Sequence, residues 1–321
     1  MKIFVVGGAG YIGSHMVKLA FLKGYDVVTI DNLSTGHRDA VKYGKFEKCD
    51  IRDTEKLNKL FLKYKPELIL HFAAFSIVSE SINEPYKYYN NNVLGTLNLL
   101  KVMIDNNCKK IIFSSTAAVF GIPNYLPIDE KHIKNPINPY GKSKLMIEEI
   151  LKDFEKSYGL RYVILRYFNA CGHDKDGELI ENHNPETHLI PLIMETVFGK
   201  RDSINIYGID YDTKDGTCIR DYIHVEDLCE AHLKSIIYLD DIKNESIDFN
   251  LGNSKGFSVL KVIETIKKIT NTDFEVKKCD PREGDPAVLI ASNKKSKEIL
   301  GFVIKYDTME SIIQTVINCK N

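Results

Sequence analysis

The sequence has no C-x-x-C pair and no regular cysteine spacing; its seven cysteines are scattered and odd in number. That excludes a disulfide scaffold and fits a reduced intracellular protein. An excess of one charge is also missing. Lys+Arg number 43 and Asp+Glu 44, a formal charge of −1. Nothing electrostatic therefore directs the chain toward nucleic acid or a membrane surface. No apolar run approaches the ~18–20 residues needed to span a bilayer. The N-terminus opens on a strand pattern rather than a charged leader, so no signal peptide is expected and the location expected is cytoplasmic. Internal repeats and low-complexity segments are absent. What remains is ordinary for a globular protein: 321 residues, 44% hydrophobic and 27% charged. That length accommodates a large α/β domain and a smaller second one.

The first half alternates apolar strand patterns with helical ones. Strands are expected at Ile3–Val6, Val27–Ile30, Leu68–Phe72, Lys110–Ser114 and Tyr162–Arg166. Helices are expected at Tyr11–Lys23, Glu55–Tyr64, Tyr88–Asn106 and Tyr140–Ser157. Near-continuous apolar strands separated by helices predict a Rossmann-type doubly wound parallel sheet. After Tyr167 the pattern breaks. Cys171 to Thr187 reads as a long polar loop, a feature that is usually functional or disordered. Shorter elements follow, including helices near Leu189–Gly199, Val225–Leu239, Val259–Thr270 and Thr308–Asn318. The expected division is residues 1–168 as a nucleotide-binding domain and 169–321 as a smaller α/β substrate domain. A segment near 220–250 is expected to return to the first.

The run Gly7-Gly8-Ala9-Gly10-Tyr11-Ile12-Gly13 follows the first strand and opens a helix. Glycines let backbone approach a phosphate, and free N–H groups at the helix start face the anion. The strand–turn–helix context gives the motif its weight. Asp31 ends the second strand, eighteen residues after Gly13, where a carboxylate bonds ribose hydroxyls and repels a 2′-phosphate. NAD is therefore favoured over NADP. Asp50 ends a third strand and could bond an adenine amino group or cap the next helix.

Thr116 follows Ser114 and Ser115 at the end of a strand, where parallel sheets place ligands. Tyr140 and Lys144 share one helix face at i, i+4. A nearby ammonium and a nicotinamide's positive charge favour the phenolate and are expected to lower the Tyr140 pKa. With Thr116 holding the same substrate oxygen, the trio can take a proton from an alcohol as hydride leaves its carbon.

At this point the chain resembles the extended short-chain dehydrogenase/reductase family, and within it the branch that epimerises nucleotide sugars. The likeness covers nearly all of the chain. It is carried by GGAGYIGSH (Gly7–His15), YYNNNVLGT (Tyr88–Thr96), FSSTAAVFG (Phe113–Gly121), NPYGKSKLM (Asn138–Met146), LRYFNACG (Leu165–Gly172), DGTCIRDYIHVEDL (Asp215–Leu228) and REGDPA (Arg282–Ala287). The resemblance implies NAD-dependent C4 epimerisation of a UDP-hexose through a 4-keto intermediate, with Tyr140, Lys144 and Thr116 catalytic. It implies that Gly7, Gly10, Tyr11, Ile12, Gly13, Asp31, Asn32, Asp50, Ile51, Phe72, Ala73, Asn92 and Phe168 contact the cofactor, along with Tyr140 and Lys144. Asn169, Leu189, Arg220, Arg282 and Leu289 match positions that hold the UDP-sugar. Two guanidiniums suit a diphosphate. Their other reading is surface salt bridges, Arg220 with Asp221 or Asp215 and Arg282 with Glu283 or Asp285. At Leu289, family members restricted to unacetylated sugars carry Tyr, so the smaller Leu implies that N-acetylated sugars also fit. The resemblance further implies a homodimer through Tyr88–Asn106 and Tyr140–Ser157.

A nucleotide-sugar 4,6-dehydratase is disfavoured, because that branch needs an Asp-Glu pair after the Thr and here Ala117 and Ala118 follow. A non-catalytic NAD-sensing protein would need the glycine turn but not Tyr140 and Lys144. No metal is expected. His183 and His188 flank Asn-Pro-Glu-Thr in the polar loop, but i, i+5 on a loop is not a recognised ligand spacing. His188 also stands where some family members have Asn.

Overall fold

The computed structural model describes residues 1–241, 245–282 and 285–319. Along the chain, β1 (Lys2–Val6), α1 (Tyr11–Leu22), β2 (Asp26–Asp31), β3 (Lys45–Lys48), α2 (Thr54–Tyr64) and β4 (Leu68–His71) come first. Two short helices, α3 (Val78–Asn83) and α4 (Pro85–Tyr88), precede α5 (Gly95–Asp105), β5 (Lys110–Thr116), α6 (Pro139–Tyr158), β6 (Arg161–Tyr167) and β7 (Asn169–Cys171). Then come α7 (Leu189–Val197), β8 (Ser203–Tyr207), β9 (Ile219–Arg220), β10 (Tyr222–His224), α8 (Val225–Asp240) and β11 (Ile247–Leu251). The chain closes with β12 (Phe257–Ser258), α9 (Val259–Thr270), β13 (Glu275–Cys279), β14 (Val288–Leu289), α10 (Lys294–Leu300) and α11 (Met309–Asn318).

Seven strands form one parallel sheet in the order β11-β6-β5-β4-β1-β2-β3. The order reverses between β1 and β4, the switch point where a doubly wound sheet opens a crevice. Strand side chains alternate between two faces. Ile3 and Val5 enter one core with Met16 and Val17 of α1 and Leu228 of α8. Phe4 and Val6 enter the other with Leu57 of α2, Leu99 of α5 and Ile147 of α6. Burial on both faces is why these strands read as continuous apolar runs. Beyond β6, small sheets β10-β7, β12-β9-β14 and β13-β8 carry the remaining strands. A third core gathers Ile193 of α7, Ile206 of β8, Ile263 of α9 and Ile313 of α11.

The helix expected over Tyr88–Asn106 is not continuous. Residues Tyr89–Leu94 adopt a π-helical stretch between α4 and α5. Such stretches are frequent at functional sites. Here it carries Asn92, whose amide is spent on tertiary bonds that periodicity cannot reveal. The cap before α2 is Asp53, whose carboxylate accepts from the Lys56 N–H at 3.0 Å. Asp50 is therefore free of the capping role that its sequence position left open.

Candidate active site

The glycine turn is shaped by close approach. Gly7 has φ +83°, and a Cβ there would lie 2.4 Å from the Ala73 nitrogen; one on Gly13 would lie 2.2 Å from the Gly7 oxygen. Side chains at these positions would push β1, β4 and α1 apart. Gly10 caps α1 without a side chain of its own. The first-turn N–H groups, which have no intrahelical partner, thus stay available to an anion. Asp31 ties this turn to its own strand end, its carboxylate accepting from Ala9 N–H at 3.0 Å and Leu33 N–H at 2.8 Å. Burial raises its pKa and the two N–H groups partly offset the rise. Asn32 donates to Asp50 at 2.8 Å. Asp50 in turn is forked by Arg52 at 2.9 and 2.7 Å, which holds the carboxylate well below its usual range. Ile51 is buried beside it.

Phe72 and Ala73 leave β4 with both N–H groups on the Val6 carbonyl, at 2.7 and 3.0 Å. They therefore lie directly beside the turn. Buried Asn92 accepts from Phe75 N–H at 2.9 Å and donates to the Phe75 carbonyl at 3.0 Å and the Ser143 hydroxyl at 3.1 Å. It locks the loop after β4 against α6.

The start of α6 is encoded locally. Asn138 caps it by accepting from Gly141 N–H at 2.8 Å, and Pro139 occupies the first turn. Tyr140 is thereby fixed one residue past the start. A Cβ on Gly141 would lie 2.5 Å from the Ala118 carbonyl oxygen. This contact presses the helix start onto the turn that follows Thr116. The Thr116 hydroxyl is near enough to the Tyr140 phenol to favour its ionised form, and it accepts from the Ala118 N–H at 3.1 Å. Lys144 is buried, and its Nζ donates to the Ser114 carbonyl at 2.7 Å.

The sequence expectation for Tyr140 includes a cofactor charge that the chain itself does not carry. Burial raises the Tyr140 pKa, and the neighbouring Thr116 hydroxyl partly offsets the rise. Burial likewise lowers Lys144 to about 7, with Glu148 pulling upward. Burial thus favours the neutral phenol and the neutral amine alike.

Behind Lys144 lies a network that sequence reading missed. Glu148, one turn further along α6, is fully buried and accepts from Arg166 at 2.8 Å on both oxygens and from Ser115 at 2.7 Å. Arg166 also pairs with Asp248 at 2.6 Å. The i, i+4 step from Lys144 to Glu148 was the available signal. The partner on β6 was not visible.

The proposed sugar-nucleotide residues converge from separate segments. In the register, Arg220 of β9 faces Leu289 of β14. Leu289 packs against the apolar cluster that includes Ala117, Phe120, Ile128 and Phe168. Arg220 pairs with Asp285, not with Asp221 or Asp215. Asp221 instead accepts three backbone N–H groups, from Asn253, Ser254 and Ala291. The Arg282 guanidinium lies 4.2 Å from the Tyr207 ring centroid; Glu283 falls outside the described residues. Asn169 is exposed on β7, its N–H donating to the Asp221 carbonyl at 3.0 Å. Leu189 begins α7, and His188 is its N-cap.

The polar loop is held over α1. Lys18 pairs with Asp174, Asp176 and Glu178 at 2.8, 2.9 and 3.2 Å, and the Tyr11 hydroxyl donates to the Gly172 carbonyl at 2.6 Å. The spacing argument against His183 and His188 does not hold in three dimensions. The loop folds back so that both rings meet Glu181 and Glu186.

A glycine turn at the switch point and a Tyr-Lys-Thr group two strands away define a nucleotide-dependent enzyme that moves hydride and a proton. A model of the NAD dependent epimerase/dehydratase family matches residues 3–252, and the chain belongs to that family. A UDP-glucose 4-epimerase of Rhizobium meliloti is 47% identical over 306 residues, 95% of this chain and 93% of that one. The crystal structure of UDP-glucose 4-epimerase from Brucella ovis in complex with NAD superposes with a TM-score of 0.95 at 47% identity, covering 98% of this chain and 96% of that one. The Bifidobacterium longum UDP-glucose 4-epimerase in complex with NAD+ and UDP gives 0.93 at 36% identity, covering 99% and 98%.

Proposed function

We propose that this chain inverts C4 of a UDP-hexose, interconverting UDP-glucose and UDP-galactose through a transient 4-keto sugar with NAD as a resident cofactor. The observation that carries it is the capped start of α6, which sets Tyr140 against the turn after Thr116 beside buried Lys144, two strands from the glycine turn. The uncapped start of α1 and the close-packed Gly7 and Gly13 fit a dinucleotide. Gly10, Tyr11 and Ile12 receive its pyrophosphate, Asp31 and Asn32 its adenosine ribose, and Asp50 and Ile51 its adenine end. Phe72, Ala73, Asn92 and Phe168 complete the cofactor's surroundings. When bound, NAD takes hydride from C4 and returns it to the opposite face.

Tyr140 removes the 4-hydroxyl proton and gives it back; Thr116 holds the same oxygen. Lys144 has one N–H on the Ser114 carbonyl and others for the nicotinamide ribose. Asn169, Leu189, Arg220, Arg282 and Leu289 hold the UDP-sugar, the two guanidiniums on its diphosphate. Binding through the remote UDP lets the hexose turn over between the two hydride transfers. Ala117 and Ala118 offer no acid or base for eliminating water, so the dehydratase reading is not favoured.

Purified protein without added cofactor is expected to equilibrate UDP-glucose and UDP-galactose. Net NADH accumulation in step with turnover, or no interconversion of either the plain or the N-acetylated pair, would sink the proposal. Leu289 lies opposite Arg220 in the register and is smaller than a Tyr, so the same pocket is expected to accept UDP-N-acetylglucosamine. A Leu289→Tyr variant is expected to lose at least about tenfold in kcat/KM for the N-acetylated sugar, the scale of one steric misfit, while retaining UDP-galactose turnover. Full N-acetyl activity in that variant would rule out the steric account.

The same reading places the enzyme in the cytoplasm, in galactose metabolism, with residues 1–168 binding NAD and 169–321 the sugar nucleotide. Among the described residues, no helix is long and apolar enough to cross a membrane. Exposed Leu94 and Leu97 beside α5 and Met146 on α6 support a homodimer through these helices.

A further inference from the structure

Two carboxylates and two imidazoles meet on the loop between β7 and α7. Glu181, His183, Glu186 and His188 bring one donor atom each within 4.8 Å of all the others. The Glu181 side chain is 1% exposed and that of Glu186 9%. Among the described residues, the ion pairs of both glutamates run only to these two histidines, with no lysine or arginine. Buried carboxylates without a cation are costly. The Thr187 and His188 N–H groups donate to Glu186 at 2.7 and 2.9 Å, and without an ion the two charges are answered only if both imidazoles carry a second proton. A divalent cation at their centre answers both.

The spacing fits such an ion. Oε1 of Glu181 lies 2.6 Å from His188 Nδ1 and 3.7 Å from His183 Nδ1, while Glu186 presents Oε2 to His183 Nδ1 at 3.3 Å and Oε1 to His188 Nδ1 at 3.6 Å. Tetrahedral zinc with bonds of about 2.0–2.1 Å sets its ligand atoms about 3.3 Å apart. Three distances lie close to that edge. The fourth is a hydrogen bond that must open by less than about 1 Å to admit the ion.

The geometry points to a structural zinc-type site built from Nδ1 of His183 and His188, Oε1 of Glu181 and the carboxylate of Glu186. Mixed nitrogen and oxygen donors favour zinc over magnesium or calcium, which take oxygen. Four protein ligands leave no open position, so the site is structural rather than catalytic. The His183 ring meets the Tyr11 ring edge-on at 5.9 Å, and His188 caps α7. The ion therefore clamps the polar loop between the start of α1 and the start of α7. Metal binding itself does not depend on the epimerase reading.

The test is cobalt and zinc uptake by the full chain, stripped with chelator and dialysed. One Co2+ per chain is expected, with the visible spectrum of a four-coordinate nitrogen/oxygen site and no thiolate charge-transfer band. His183→Ala and Glu181→Gln, each checked for fold by circular dichroism, are expected to weaken uptake at least tenfold. They should also abolish the rise in Tm that zinc gives the parent protein. Cys279→Ser, which removes the one cysteine that is not fully buried, is expected to leave uptake unchanged. No uptake at micromolar metal, uptake unaltered in both ligand variants, or a thiolate band in the parent protein would each overturn the proposal. The parent spectrum decides even if a variant fails to fold.

Discussion

Replacing Tyr140 by Phe is expected to lower kcat by about 10²–10⁴-fold, the range of a single general acid–base group. The fold, the bound NAD and the KM for UDP-galactose should change little, because the ring and its packing remain. No neighbouring phenol can take over. The Tyr167 hydroxyl is buried, and burial raises its pKa. The Tyr88 hydroxyl is spent on the Ile77 carbonyl at 2.6 Å and Glu80 at 2.9 Å. Steady-state kinetics with a check of cofactor content separates the outcomes. A kcat within tenfold of the parent would remove Tyr140 as the base and favour a protein that binds NAD without this chemistry.

The second large effect is on stability. Arg166→Met removes the cation from Glu148, which is fully buried and keeps only Ser115 as a donor. Breaking a buried pair from one side costs about 3–5 kcal/mol. For a chain of this size that lowers Tm by roughly 5–10 °C. Asp248 is less affected, since Lys295 still reaches it at 2.9 Å. The double variant Glu148→Leu/Arg166→Met is expected to recover most of the loss, because apolar replacement of a whole buried pair is often neutral. Thermal unfolding of the three proteins checks this. A single variant within about 1 kcal/mol of the parent would show that water or rearrangement satisfies Glu148.

Local signals were legible where short-range chemistry decides. The glycine turn, the alternation of strand and helix, and the Asn138-Pro139 start of α6 are all written in neighbouring residues. The interruption at Tyr89–Leu94 was not legible, because it is stabilised by Asn92 reaching residues far along the chain. The carboxylate beside Arg220 was not legible for the same kind of reason. The carboxylates nearest in sequence, Asp215 and Asp221, are taken up by Thr217 and by backbone N–H groups, leaving Asp285 from another strand region.

By itself, the sequence determined the parallel sheet, the NAD-binding turn and the Tyr140–Lys144 helix face, since hydrophobic period, caps and glycines act over a few residues. Tertiary structure alone decided the electrostatics of that site and the company its residues keep. Desolvation depends on what packs against a group, so the rise in Tyr140, the fall in Lys144 to about 7 and the buried Glu148–Arg166 pair arise only when β5, β6 and α6 close together. The meeting of Glu181, His183, Glu186 and His188 has the same origin: a loop's path, rather than its spacing, sets which donors share one point.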